Sequence, residues 1–346
     1  MFFSKLKTPT VTALACCLVF LSLLPAACAR PERFFTDEYL ELAVRNYLEK
    51  SEYEAITAED LAGITSLGDW TASRLIIDLS GIEQCTNLTE LNLSNNQIED
   101  FSPLAALTNL KSLNLENNNI TDISSLLYLT SLEELELGAN QISNIAPLSS
   151  LVNLKHLNLG VNDITDISPL SSLASLTTLI LDRNQIEDIS PLSSLSNLHA
   201  LIISGNSIDE LSPLSDMTGL YLLILDGNGI SVITPLSQLN NLEMLSLNDN
   251  RIADISPLAT LTSLRTLRLK DNLITDISPL SALTELSDLH LEENLIDDIS
   301  SLLENDGLSG WSDEIWLEDN NLDLSAGSKD MAVIEALQDR GIEVNY

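Results

Sequence analysis

The chain has 346 residues, of which 45% are apolar but only 4% aromatic, so Leu and Ile must supply its core. Its 51 acidic residues stand against 16 basic ones, a formal net charge of −35. Repulsion at that charge excludes nucleic acid and an anionic membrane surface as main partners, and leaves cationic partners and divalent ions open.

Residues 1–29 read as an export signal. Lys5 and Lys7 give a positive start, and Val11 to Leu24 form an apolar stretch too short to span a membrane comfortably. Ala27-Cys28-Ala29 fits the small-x-small rule for release as a secreted protein. Leu24-Pro-Ala-Ala-Cys28 is similar to a bacterial lipoprotein box, which would leave Cys28 lipidated on the outer surface, although Pro25 stands where that box has Leu, Val or Ile. An uncleaved anchor helix is the third reading. Removing residues 1–27 takes away two Lys and no acid, moving the charge from −35 to −37. Cys16 and Cys17 leave with the signal and Cys28 is lipidated or removed. Cys85 then has no partner for an internal disulfide.

Residues 30–60 are expected to form a helical N-terminal cap. A helix over 36–50, capped by Thr36, would place Leu40, Val44, Tyr47 and Leu48 on one face. Together with Ile56 to Trp70 it would cover a degenerate first repeat, which keeps Ile76, Leu79 and Ile82 but has Arg74 where an Asn belongs.

Residues 61–324 repeat. Asn recurs at 96, 118, 140, 162, 184, 206, 228, 250, 272 and 294, always 22 apart. One copy reads Leu242-x-x-Leu245-x-Leu247-x-x-Asn250-x-Ile252-x-x-Ile255-x-x-Leu258-x-x-Leu261. The Leu-x-Leu alternation predicts a short strand with one face inward. The Asn ends it, bending the chain and satisfying backbone groups with its amide. Later apolar residues recur every third position, as in a 3₁₀ turn. Most copies announce that turn with Ser-Pro, as at Ser168-Pro169 and Ser190-Pro191, where Ser is the expected N-cap and Pro the first helical residue. No unit buries its apolar face alone, so the core exists only by stacking. After Asn294 the next Asn in frame is Asn320, 26 residues on, and Glu304 to Trp311 absorbs the extra length. Residues 325–346 are a C-terminal cap: a helix stopped by Gly341 and a short strand Ile342 to Val344.

The frame Leu-x-x-Leu-x-Leu-x-x-Asn-x-Ile-x-Asp-Ile-Ser-Pro-Leu resembles the internalin-type, 22-residue class of bacterial leucine-rich repeats. That resemblance implies an α/β leucine-rich-repeat solenoid, a horseshoe. Its parallel β-sheet would line the concave face and 3₁₀ turns the convex face, with helical caps at both ends. It also implies a protein partner held on the concave face.

Two outward columns of the strands can be written down. One runs Asn92, Asn114, Glu136, Asn158, Ile180, Ile202, Ile224, Ser246, Arg268, His290, Trp316. The other, two residues earlier, runs Glu90, Ser112, Glu134, His156, Thr178, Ala200, Leu222, Met244, Thr266, Asp288, Glu314. Ile180, Ile202, Ile224, Ala200, Leu222 and Met244 lie on neighbouring strands about 4.8 Å apart and would form one apolar patch, with Tyr221 and His199 at its edge. The alternative is that β-branched residues merely suit a parallel sheet. Arg265, Arg268 and Lys270, with Arg251 nearby, make a basic island that meets an anionic group on a partner or is neutralised by neighbouring carboxylates. Asp288, His290 and Glu292 alternate beside Glu314 and Trp316, an oxygen- and nitrogen-rich set that reads better as a solvated polar strand than as a metal site. Asp100, Asp122, Asp166, Asp188, Asp254, Asp276 and Asp298 form a ladder four residues after each Asn, read as turn formers rather than as a specific ion site.

No phosphate loop, nucleophile elbow, His-Glu-x-x-His or paired Cys spacing occurs, and His156, His199 and His290 sit on an open face. The expectation is a monomeric, non-catalytic protein-binding module without cofactor, secreted or lipid-anchored on a bacterial surface. It would contact its partner through Ile180, Ile202, Ile224, Ala200, Leu222, Met244, Tyr221, Arg265, Arg268, Lys270 and Trp316, and touch a membrane only through Cys28. The alternative is an acidic spacer with no specific ligand.

Overall fold

A computed structural model describes residues 33–68, 76–311 and 313–346. The export signal with Cys28, as well as Trp70 and Arg74, lie outside the described residues. Among the described residues no helix is long and apolar enough to cross a membrane.

Within the described residues thirteen short strands stack in sequence order into one parallel sheet. They are β1 Ser66–Leu67, β2 Glu90–Asn92, β3 Ser112–Asn114, β4 Glu134–Glu136, β5 His156–Asn158, β6 Thr178–Ile180 and β7 Ala200–Ile202. They continue as β8 Leu222–Ile224, β9 Met244–Ser246, β10 Thr266–Arg268, β11 Asp288–His290, β12 Glu314–Trp316 and β13 Glu343–Asn345. The sheet lines the concave face, and 3₁₀ turns such as Ser168–Ser172 and Ser190–Ser194 line the convex face. Between them runs one continuous core. In a middle repeat Leu176, Leu179, Leu181, Ile186, Ile189, Leu192 and Leu195 are all at most 2% exposed. Each Leu or Ile removed from water contributes roughly 1.5–3 kcal/mol, so a single repeat holds most of its stability in contacts with its two neighbours.

The repeated Asn does more than end the strand. Asn162 donates from Nδ2 to the carbonyls of Leu159 and Leu137 (both 3.1 Å) and of Gly160 (3.3 Å). Its Oδ1 accepts from the Ile142 N–H at 2.9 Å. Two of these four partners belong to its own turn and two to the preceding repeat. The same set recurs at Asn184, Asn250, Asn272 and Asn294. The residue just before each Asn takes a left-handed backbone, among them Asn95, Asn117, Ala139, Val161 and Arg183, with Gly205 and Gly227 supplying the same turn. For a β-branched Val161 at φ 57° that conformation is strained.

The 3₁₀ turns are capped differently from the expectation. Ser168 is already the first helical residue, and its backbone N–H donates to Asp166 Oδ1 at 2.8 Å. Asp188, Asp254, Asp276 and Asp298 do the same for Ser190, Ser256, Ser278 and Ser300. The intervening residue, Ile167, is buried in the core and holds the backbone so that Ser enters the turn. A carboxylate, which accepts more strongly than a hydroxyl, then takes its N–H.

Both ends are covered. Helix α1, Glu38–Tyr47, is capped by Asp37 rather than Thr36. Asp37 Oδ1 accepts from Tyr39 and Leu40, and its Oδ2 accepts from Ile77 at 2.9 Å, so one carboxylate both caps the helix and ties it to the first repeat. Leu40 and Val44 are buried, whereas Tyr47, placed on the inner face by the sequence, is 49% exposed. Arg45 takes the inner position instead, paired with Glu41 at 2.8 Å and donating to the carbonyls of Ser51 and Glu54. Helix α2, Ala58–Ala62, opens with a Thr57–Asp60 capping box. At the far end helix α3, Lys329–Asp339, is followed by Gly341 at φ 94°, which turns the chain back so that β13 extends the sheet. The extra residues after Asn294 leave the bonding pattern intact: Ile296 N–H donates to Asn320 Oδ1, and Asn320 reaches back to the Leu291 carbonyl.

The Asn bonds make a direct prediction. Asn162→Ala should strand the Ile142 N–H and take from the Leu137, Leu159 and Gly160 carbonyls one of the two donors each has, and cost on the order of 3 kcal/mol, read as a fall in the urea midpoint. A midpoint shift of less than a third of that size would show that the ladder does not carry the stacking.

Candidate functional site

The concave face divides into three zones. In the first, carboxylates and histidine pair across strands. His156 Nε2 lies 2.7 Å from Glu136 Oε1, and Lys155 bridges to Glu133 at 2.6 Å. The Glu136 hydrogen bond, opposed by burial, raises the His156 pKa above its ordinary 6.5.

The second zone is the central apolar one. Ile180, Ile202 and Ile224 are direct register partners across β6, β7 and β8, and Ala200, Leu222 and Met244 across β7, β8 and β9. The three Ile, Leu222 and Met244 are half-buried, leaving part of each to solvent. Tyr221 is 47% exposed at the rim, and His199 is exposed beside it. Two residues expected on this open surface are covered. Ala200 is buried at 6%, because a single methyl sits below the longer side chains on either side. Ser246 is buried at 1%, its hydroxyl donating to Asp226 Oδ1 at 2.6 Å while Asn248 N–H donates to the same oxygen. Asp226 belongs to a third outward column, one residue beyond the second strand Leu, that also contains Asp182, Lys270, Glu292 and Glu318. The two columns read from the sequence stop short of it, although the same alternation points to it.

The third zone is ionic. Only Arg268 of the basic island lies within a strand, with Arg265 before it and Lys270 after it. Each faces a carboxylate of the next repeat: Arg265 to Glu285 at 3.3 Å, Arg268 to Asp288 at 3.2 Å and Lys270 to Glu293 at 3.0 Å. Next along the sheet, His290 has Asp288 Oδ1 2.9 Å from Nε2 and Glu292 Oε1 3.0 Å from Nδ1. Its ring stacks on Trp316 with centroids 5.5 Å apart and planes at 7°. Both imidazole nitrogens are thus turned to carboxylates, and no group of three or more His, Cys, Asp or Glu arranged to hold a metal occurs among the described residues. The Asp ladder runs along the turns away from this face, its carboxylates engaged as caps. Cys85 is buried, and burial pushes its thiol up to about 12, which keeps it unreactive.

The comparisons with known proteins agree with this architecture. The family model described as "Leucine Rich repeats (2 copies)" matches residues 72–106, 108–150, 152–194, 174–216 and 262–304. An internalin, inlF, from Listeria monocytogenes has a solved structure that is 34% identical, covering 93% of this chain and 94% of its own with a TM-score of 0.83. This chain is an internalin-like leucine-rich-repeat protein. Internalin C2 of the same organism is also 34% identical, over 70% of this chain and 99% of its own, with a TM-score of 0.58. A plant peptide hormone receptor, RGFR1, solved in complex with RGF2, shares the fold at 21% identity and a TM-score of 0.64, over 78% of this chain and 46% of its own. No curated protein sequence matches closely enough to count as a relative.

The capping carboxylates of this internalin-like chain titrate predictably. Hydrogen bonds from the backbone and hydroxyl of Ser168 and Ser190 hold Asp166 and Asp188 below the ordinary 3.8, and the Ser256 hydroxyl and backbone do so for Asp254. Depressed folded-state values mean stability that is present above about pH 4 and lost as pH falls through them. Protonation also relieves the repulsion within so acidic a chain, so the diagnostic is a difference. The gap in urea midpoint between the wild type and Asp166→Ala/Asp188→Ala/Asp254→Ala should be constant from pH 7 to about 5 and shrink below about 4. A gap independent of pH would overturn the assignment.

Proposed function

We propose that this chain is an exported protein-recognition module that captures a partner on its concave face, without catalysis and as a monomer. The observation that carries the reading is the central zone: Ile180, Ile202, Ile224, Leu222 and Met244, contiguous across four strands and partly open to water. Apolar area of this kind on an otherwise charged surface is characteristic of contact sites. Leucine-rich-repeat solenoids serve as protein-interaction modules, and the receptor in complex with RGF2 is one with this fold. The surface of an open parallel sheet suits an extended or convex partner better than a small substrate needing exclusion from water. The basic island, already paired within the molecule, contributes alignment at the rim rather than the main attraction. Export rests on the first 29 residues, with Cys28 as the lipid-bearing residue in the anchored form.

Ile202→Asp/Ile224→Asp should abolish affinity capture of the partner from the producing cell's surroundings while leaving the circular dichroism unchanged. Capture undiminished in that variant overturns the concave-face reading, and capture of nothing by either protein favours an acidic spacer. The mature N-terminus, read by mass spectrometry, should start at a diacylglyceryl-modified Cys28; a start at Arg30 means a freely secreted protein instead.

A further inference from the structure

The C-terminal end of the concave sheet concentrates polar chemistry that the molecule itself leaves unused. Six buried side-chain nitrogen or oxygen atoms among the described residues have no hydrogen-bond partner. Five of them belong to this one end: Arg268 Nε, Glu292 Oε2, Trp316 Nε1, Glu318 Oε2 and Asn345 Nδ2. They are neighbours. Arg268, His290, Trp316 and Asn345 are consecutive register partners across β10 to β13. Glu292 and Glu318 follow two residues after His290 and Trp316, on the same outward side. Buried polar atoms are nearly always paired, so five idle ones in a single patch mark a surface shaped for something it binds.

The charge and geometry say what that something is. The internal contacts consume both oxygens of Asp288, through Arg268 and His290, but only one oxygen of Glu292. The rows contain Asp288, Glu292, Glu314, Glu318 and Glu343 against Arg268, Lys270 and His290, so the balance is still negative and a cation is favoured over an anion. The ligand must give N–H donors to Glu292 and Glu318 and also acceptors to the Arg268 Nε–H, the Trp316 indole and the Asn345 amide. An arginine within a peptide does both. Its guanidinium forks onto carboxylates and lies flat on an aromatic ring, and the adjacent backbone carbonyls accept hydrogen bonds. A lysine is a point charge that cannot fork. The side chains around these atoms are not sealed from solvent: that of Glu292 is 13% exposed, His290 22% and Arg268 41%.

We infer that this row is a subsite for an arginine side chain on an extended cationic segment of the partner. The inference rests on the concave-face reading above but uses none of the apolar residues that carry it. Its test is a titration of the full mature chain, ¹⁵N-labelled, with N-acetyl-arginine amide, followed by the side-chain N–H resonances of Trp316 and Arg268. The Trp316 peak is identified by its loss in Trp316→Phe. Both resonances should shift saturably, with at least tenfold weaker binding of N-acetyl-lysine amide and no response to N-acetyl-glutamate amide. The shift should vanish in Glu292→Gln/Glu318→Gln, which keeps the shape and removes the charge, and should persist in Ile202→Asp/Ile224→Asp. No saturable shift, an equal response to the lysine or glutamate probe, or a shift retained in the Gln variant overturns the subsite. Such a failure leaves patch-dependent partner capture standing, whereas patch-independent capture overturns the concave-face reading and not the arginine subsite.

Discussion

Everything in this molecule hangs on one side-chain amide repeated at 22-residue intervals. A strand of three residues with a tight turn after it leaves backbone carbonyls and N–H groups pointing inward, where no water reaches them. The Asn amide answers both kinds at once, donating twice or three times and accepting once. Half of those bonds cross to the preceding repeat. The apolar contacts make stacking favourable, but they are not directional. The amide fixes the register, and with it the alignment of every outward column on the concave sheet.

Because core and ladder use the inward positions so completely, the outward positions supply none of the continuous core and are freer to vary, although some, such as Asn114, Asn158 and Asp226, also hold backbone N–H groups. That is why the concave face can be polar at one end, apolar in the middle and ionic at the other without disturbing the fold. The caps follow the same logic. Asp37 at one end, and α3 with β13 at the other, cover the apolar ends that stacking alone would leave in water.

The repeat, its strands and its turns were legible because their periodicity is uninterrupted over ten copies. What escaped the sequence was the choice between neighbouring caps within a turn and whatever depends on side chains from adjacent layers. Ser was expected to cap the 3₁₀ turns, yet the carboxylate two residues earlier does so, because the buried Ile between them already sets the backbone. Ala200 and Ser246 were placed on the open face by alternation alone; their burial comes from neighbours on either side, which a single column does not reveal. The basic island could be located but not weighed, since its partners, Glu285, Asp288 and Glu293, lie about a repeat further on. Trp316 was visible as an outlier. That it stacks on His290, with Glu318 and Asn345 beside it, required the register of β11, β12 and β13.

The amide ladder also has a direction. Each Asn reaches back to a layer nearer the N-terminus, as Asn162 does to Leu137 and Ile142. A repeat emerging from a ribosome therefore finds the acceptors for its Asn amide already in place, while its own N–H groups, such as that of Ile164, wait for the Asn of the next layer. The solenoid is built to assemble vectorially, one layer at a time, behind the cap formed by α1 and α2. For a chain that appears N-terminus first, such ordering keeps the apolar surface exposed at any moment to about a single layer.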